Sequence, residues 1–167
     1  TVGQVVYKNE PDWSEVSLKK TVEGTDEPIA NVVFEFRRQD SAKTQSFTTD
    51  ENGEIHARLV PDWYVVRELS GPENVVIDST PRTVQLLPGE TVELAYTNKL
   101  KPSLTLRKVD DQTDEPLAGA ILEVKYSDGS FVGEGNCGRG PGVYRTDENG
   151  TVELTNLPDG ASVVVRE

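Results

Sequence analysis

Three polar side chains sit where the buried face of a strand calls for apolar ones. Lys20 follows Val16 and Leu18, Glu68 follows Tyr64 and Val66, and Asn98 follows Val92, Leu94 and Tyr96. Strand side chains alternate between faces, so each polar residue shares the face of the apolar residues before it. A charge buried alone is costly, but a lysine, a carboxylate and an amide form a set that can satisfy itself. The same set can react. In an apolar site desolvation disfavours both charges of an amine–carboxyl pair, so the two can be neutral together. A neutral ε-amine is a nucleophile. A protonated carboxyl can hydrogen-bond the asparagine carbonyl and relay protons to departing ammonia. The product is a Lys–Asn amide between side chains. Taken singly, each residue also fits a plainer account, a half-exposed strand end with its polar head in water.

The set recurs, because the sequence repeats. "KKTVEGTDEPIANVVFEF" (19–36) matches "RKVDDQTDEPLAGAILEV" (107–124), "TTDENGEI" (48–55) matches "RTDENGTV" (145–152), and "YVVRE" (64–68) matches "VVVRE" (163–167). Lys108 and Glu167 therefore stand in the phase of Lys20 and Glu68. The first copy continues through "NVVID" (74–78), "RTVQLL" (82–87) and "ETVELAYTNKLKP" (90–102). At the N-terminus "GQVVYKNEP" (3–11) resembles "VELAYTNKLKP" (92–102), aligning Tyr7 with Tyr96 and Asn9 with Asn98. The expected organisation is the last strand of a preceding module at 1–11, a complete module at 12–101, and a second module at 102–167 truncated before its last strands. An insertion at 127–144, "SDGSFVGEGNCGRGPGVY", reads as a glycine-rich loop or floppy hairpin.

The elements that must position these residues are strands. Short alternating runs rich in Val, Ile, Thr, Tyr and Phe are punctuated by "DENG", "PDG" and "LPGE" turns, and no helical apolar period is sustained. The fold class is all-β, a sandwich of antiparallel strands.

Composition narrows the function. With 17 Lys and Arg against 29 Asp and Glu, the net charge of −12 disfavours nucleic acid and anionic membrane surfaces as partners. Cys137 is the single cysteine, so no intrachain disulfide can form. His56 is the single histidine, which leaves no metal-ligand cluster and no cofactor to expect. The "DENG" segments (50–53 and 147–150) are turn chemistry rather than calcium loops. Trp13 and Trp63 are expected to pack at sandwich edges.

The blocks "LTLRKVDDQTDEPLAGAILEV", "TDENGTVELTNLPDG", "YVVREL" and "ELAYTNK" resemble the B-type repeat domains of collagen adhesins and pilins of Gram-positive surfaces. The resemblance implies tandem prealbumin-like, or inverse immunoglobulin-like, β-sandwich modules. It also implies a spontaneous isopeptide bond between Lys20 and Asn98, assisted by Glu68. In the second module it marks Lys108 and Glu167, whose asparagine would lie beyond this sequence. The repeat alignment, apart from the resemblance, makes Asn9 a candidate donor-strand residue of the matching kind. The implied role is a stalk or shaft segment, extracellular and held to the cell wall by an anchor outside this sequence. Its partners would be neighbouring modules, with a host extracellular-matrix ligand reached through other domains.

Two readings from other classes compete. A ligand-binding module gripping a host protein or glycan would show an exposed aromatic patch near Trp13, Trp63 or 127–144. A surface hydrolase using Glu68 would need a second carboxylate at glycosidase spacing, which the repeat pattern does not suggest.

Overall fold

The structure, a computed structural model, describes residues 2–9 and 13–167. It divides into two compact units, residues 1–100 and 101–167. The first contains β1 (Ser14–Val22), β2 (Val33–Arg38), β3 (Thr44–Thr48), β4 (Glu54–Leu59), β5 (Asp62–Ser70), β6 (Arg82–Leu86) and β7 (Thr91–Asn98). One sheet runs β4-β1-β7 and the other β3-β2-β5-β6. Val16, Leu18, Phe34, Phe36, Tyr64, Val66, Leu86 and Tyr96 meet in a single core. The alternation of the sequence is thus the in-and-out pattern of the strands.

The expectation of antiparallel strands fails at one place, and that place matters. β1 pairs with β4 antiparallel but with β7 parallel, in a register that sets Lys20 beside Tyr96 and Val22 beside Asn98. The first and last strands of the unit are neighbours because β7 returns to the free edge of β1 in the β4-β1-β7 sheet. The segment 74–78 forms no strand, only an isolated bridge from Val75 to Leu100.

The second unit contains β8 (Leu104–Arg107), β9 (Ile121–Tyr126), β10 (Val143–Arg145), β11 (Thr151–Leu154) and β12 (Val163–Arg166). Its sheets are β11-β8 and β10-β9-β12, around Leu122, Val124, Val132, Tyr144, Val152, Leu154 and Leu157. The insertion is anchored rather than floppy. Val132 is buried in that core, and the Tyr144 hydroxyl donates to its carbonyl at 2.7 Å.

The repeat is carried down to single hydrogen bonds. Asp50 Oδ1 accepts from the amides of Asn52 and Glu54, and Asp147 Oδ1 accepts from those of Asn149 and Thr151. Buried Thr49 accepts from Val32 N and donates to Ile29 O, and Thr146 does the same with Ala120 N and Leu117 O.

Residues 2–9, expected as a strand of the preceding module, are exposed and form no strand. Residues 1 and 10–12 lie outside the described residues.

Candidate functional site

The backbone of Lys20 is fixed from both sides before its side chain is considered. Its amide donates to Gly53 O at 2.7 Å, and its carbonyl accepts from Ile29 N at 3.0 Å. Gly53, at φ 70°, lies so close that a Cβ there would strike the Lys20 carbonyl oxygen. The "DENG" turn therefore ends in glycine because the lysine-bearing strand runs against it. Gly150 meets the Lys108 carbonyl in the same way.

From this anchored position Lys20 projects into the sandwich, as its phase predicts. Glu68 enters from β5 in the opposite sheet, with its Cα paired to that of Phe34, and Asn98 enters from the last residue of β7. Lys20, Glu68 and Asn98 expose 0%, 1% and 4% of their surfaces. Lys20 Nζ donates to Glu68 Oε1 at 2.5 Å, and Asn98 Nδ2 donates to Glu68 Oε2 at 2.7 Å. Oε2 also accepts from the backbone amide of Asp78 at 3.2 Å. One carboxylate thus holds the amine with one oxygen and the amide with the other. The three residues singled out by phase converge, and none is a strand end with its head in water.

The walls around them are aromatic. Lys20 Nζ lies 5.9 Å from the Phe34 ring centre and 6.0 Å from that of Tyr96, and the two rings meet edge to face at 4.9 Å. Burial pulls the pKa of Lys20 below its ordinary 10.5, against the opposing hydrogen bond and charge of Glu68. Burial also raises the Tyr96 phenol.

Two polar atoms of the site, Asn98 Oδ1 and Tyr96 OH, are buried without a hydrogen-bond partner among the described residues. The amide orientation suits an ionised Glu68, which can only accept. Turning the amide over would bring Oδ1 to the carboxyl. That contact is favourable only once the carboxyl carries a proton, and the nearest source is the Lys20 ammonium on its other oxygen.

Arg82 closes the site from outside. Its guanidinium carbon lies 4.1 Å from the Tyr96 ring centre, and Nη1 donates to Ala95 O at 2.9 Å. β6 and β7 are edge strands of different sheets, so this contact bridges the sandwich at its open side. Neither Arg82 nor the Asp78 amide was legible in sequence, because the first contact depends on which edges the two sheets bring together and the second on the path of the loop after β5. Tyr96 was legible in part, being in phase with Asn98.

In the second unit Lys108 Nζ and Glu167 Oε2 are 2.8 Å apart, with side chains 32% and 62% exposed. They pair as the repeat implies but in a wet setting. Asn9 is exposed, in the stretch without a strand. Among the described residues no group of three or more His, Cys, Asp or Glu side chains is placed to hold a metal ion. Cys137 is half-buried. Trp13 packs against the Arg58 guanidinium at 4.3 Å, and Trp63 is exposed.

The two units are β-sandwich modules of one pattern, and comparison with known proteins gives the class its name. A family model described as the SpaA prealbumin-like fold domain matches residues 14–100 and again 102–167. The chain belongs to this family, and the resemblance to B-type surface repeats is resolved in its favour. The fold is shared with the shaft pilin SpaA of Lactobacillus rhamnosus GG. One form of it matches at TM-score 0.56 and 18% identity, over 92% of each chain. A variant of that pilin matches at TM-score 0.61 and 16% identity, over 92% of this chain and 86% of that one. The Bacillus anthracis TIE protein matches at TM-score 0.51 and 22% identity, and this chain spans 28% of its length. No curated protein sequence matches the chain.

Proposed function

We propose that the chain is a load-bearing stalk or shaft segment of an extracellular surface appendage, whose first unit is locked by an amide between Lys20 and Asn98. The observation that carries this is the dry triad. An amine and a carboxamide on neighbouring parallel strands share one carboxylate inside an aromatic wall.

The step balances as follows. Glu68 takes a proton from Lys20, giving a neutral amine and a neutral acid. The Lys20 nitrogen attacks Asn98 Cγ while the Glu68 proton is shared with the amide oxygen, a role that suits the unpartnered Oδ1 once the amide turns. The Cγ–Nδ2 bond then breaks, the protons pass through Glu68 to the leaving nitrogen, and ammonia departs. Each chain turns over once, so no enzyme activity on an outside substrate is implied. The residues need not diffuse together, since folding has already oriented them.

The strand geometry gives the bond a mechanical use. The unit's chain enters at Ser14 and leaves after Asn98, at opposite ends of the parallel β1–β7 pair. Tension between modules would shear these strands. A bridge from Lys20 to Asn98 carries that load past everything between them. By analogy with disulfide loop entropy, closing this loop stabilises the unit by about 4–5 kcal/mol. Single-molecule pulling tests the reading. The expected trace shows no lengthening from residues 21–97, whereas release of the whole first unit would refute it.

A further inference from the structure

Glu68 has two duties at the Asn98 amide that it cannot perform at once. While Lys20 attacks, its proton is wanted on the amide oxygen. When the Cγ–Nδ2 bond breaks, its proton is wanted on the leaving nitrogen. The structure holds the second arrangement, with Nδ2 on Glu68 Oε2 at 2.7 Å and Oδ1 without a partner among the described residues. The charge gathering on that oxygen then needs another donor. In a dry site a developing oxyanion is stabilised by donors already in place.

The other donors around the site are committed. Lys20 Nζ is the nucleophile, the Asp78 amide donates to Glu68 Oε2 at 3.2 Å, and Arg82 Nη1 donates to Ala95 O at 2.9 Å. The Tyr96 hydroxyl is buried with no partner among the described residues. Tyr96 and Asn98 are alternate residues of β7, both buried with Thr97 exposed between them, so they share the inward face. The Tyr96 ring is held on two sides, by Phe34 edge to face at 4.9 Å and by the Arg82 guanidinium at 4.1 Å. A phenylalanine would fill this space without burying a hydroxyl, and a buried donor left unsatisfied is unfavourable. The site thus holds an orphan donor and an orphan acceptor on one strand face. Burial raises the pKa of the phenol, against the opposing charge of Arg82, so the hydroxyl keeps its proton and stays a donor.

We propose that the Tyr96 hydroxyl donates to the Asn98 carbonyl oxygen as the cross-link forms, which frees Glu68 to protonate the leaving nitrogen. The lone pair of the neutral Lys20 amine forms the new bond to Cγ, and the carbonyl π pair moves onto the oxygen. Tyr96 holds that oxygen and keeps its own proton throughout. Glu68 gives one proton to Nδ2 and takes one from the attacking nitrogen. The pair on oxygen then returns, the Cγ–Nδ2 bond breaks, and ammonia departs. This role rests on the Lys20–Asn98 reading above and adds to it a catalytic residue that acts on the oxygen alone.

The test is Tyr96→Phe in the full chain. Loss of ammonia is followed by mass, at pH values low enough that the parent chain's own reaction is slower than its folding. Bond formation should slow about 10²-fold, as it does when one oxyanion donor is removed. The fall should be the same at each pH, because Lys20 and Glu68, not Tyr96, exchange protons. Asn98→Ala with and without Tyr96→Phe reports any structural use of the hydroxyl, and the double variant should melt no lower than the single one. A double variant that melts lower, or a pH profile displaced in Tyr96→Phe, would make the hydroxyl a packing group and overturn the proposal. A parent that loses ammonia and a Tyr96→Phe variant that loses it equally fast would overturn this role alone. A parent that never loses ammonia would overturn the Lys20–Asn98 reading and this role together.

Discussion

Lys20 on β1 and Asn98 on β7 are held on different oxygens of the single Glu68 carboxylate, at 2.5 Å and 2.7 Å. The carboxylate is therefore placed both to receive the amine's proton and to deliver it to the amide.

Glu68 is the first residue to test. Glu68→Gln keeps the shape and one acceptor oxygen, but its amide nitrogen donates where the carboxylate accepted, and it cannot exchange protons at this site. It should fold with the Lys20–Asn98 bond unmade, seen as the full sequence mass. Glu68→Ala should also leave the bond unmade. It leaves the Lys20 charge buried without a partner, a loss of about 3–5 kcal/mol on top of the missing cross-link. Denaturant titration of the two variants separates these effects.

Lys20 and Lys19 provide an internal comparison, being adjacent and opposite in phase. Lys19 is exposed and pairs with Glu54 at 3.1 Å on the surface, where such pairs contribute little. Lys19→Ala should leave the melting temperature nearly unchanged. Lys20→Ala strands Glu68 and removes the bridge, and should lower it by well over ten degrees, as several kcal/mol would in a domain of this size.

The buried lysine also sets a pH dependence, visible when the bond is blocked. In Asn98→Ala the amine persists with its pKa below the ordinary 10.5, burial being the main cause. The folded state then binds fewer protons than the unfolded one between those two pKa values. Stability should therefore rise with pH across that interval and level off above 10.5. Lys20→Met with Asn98→Ala should remove the slope. Thermal melts of both variants across the alkaline range measure the difference.

Arg82 is expected to control access to the site. It bridges β6 to β7 and covers the Tyr96 ring. Arg82→Ala opens this edge to water, which favours the protonated amine. Bond formation should slow several-fold and its pH profile move upward. Arg82→Gln, which keeps a planar donor, should recover part of the rate. Sampling cell-free synthesis by mass over time provides the measurement.

Much of this site was legible because strand phase is simple. Three polar residues on apolar faces, repeated with their surroundings, pointed to Lys20, Glu68 and Asn98 before any contact was known. The burial of each follows from that phase. What phase leaves open is which faces meet. The parallel β1–β7 pairing comes from the return of the last strand to the edge of the first, the Asp78 amide from a loop path, and the Arg82 bridge from the juxtaposition of two edges. The strand expected at residues 3–9 shows the converse limit. The pattern is present, but a strand needs a partner edge to become one.

The most direct measurement is the intact mass of the folded protein, followed by peptide mapping. A bond between Lys20 and Asn98 predicts a mass one ammonia below the sequence value, with the two residues recovered in a single branched peptide. A mass equal to the unmodified sequence, with Lys20 and Asn98 in separate peptides, would contradict it.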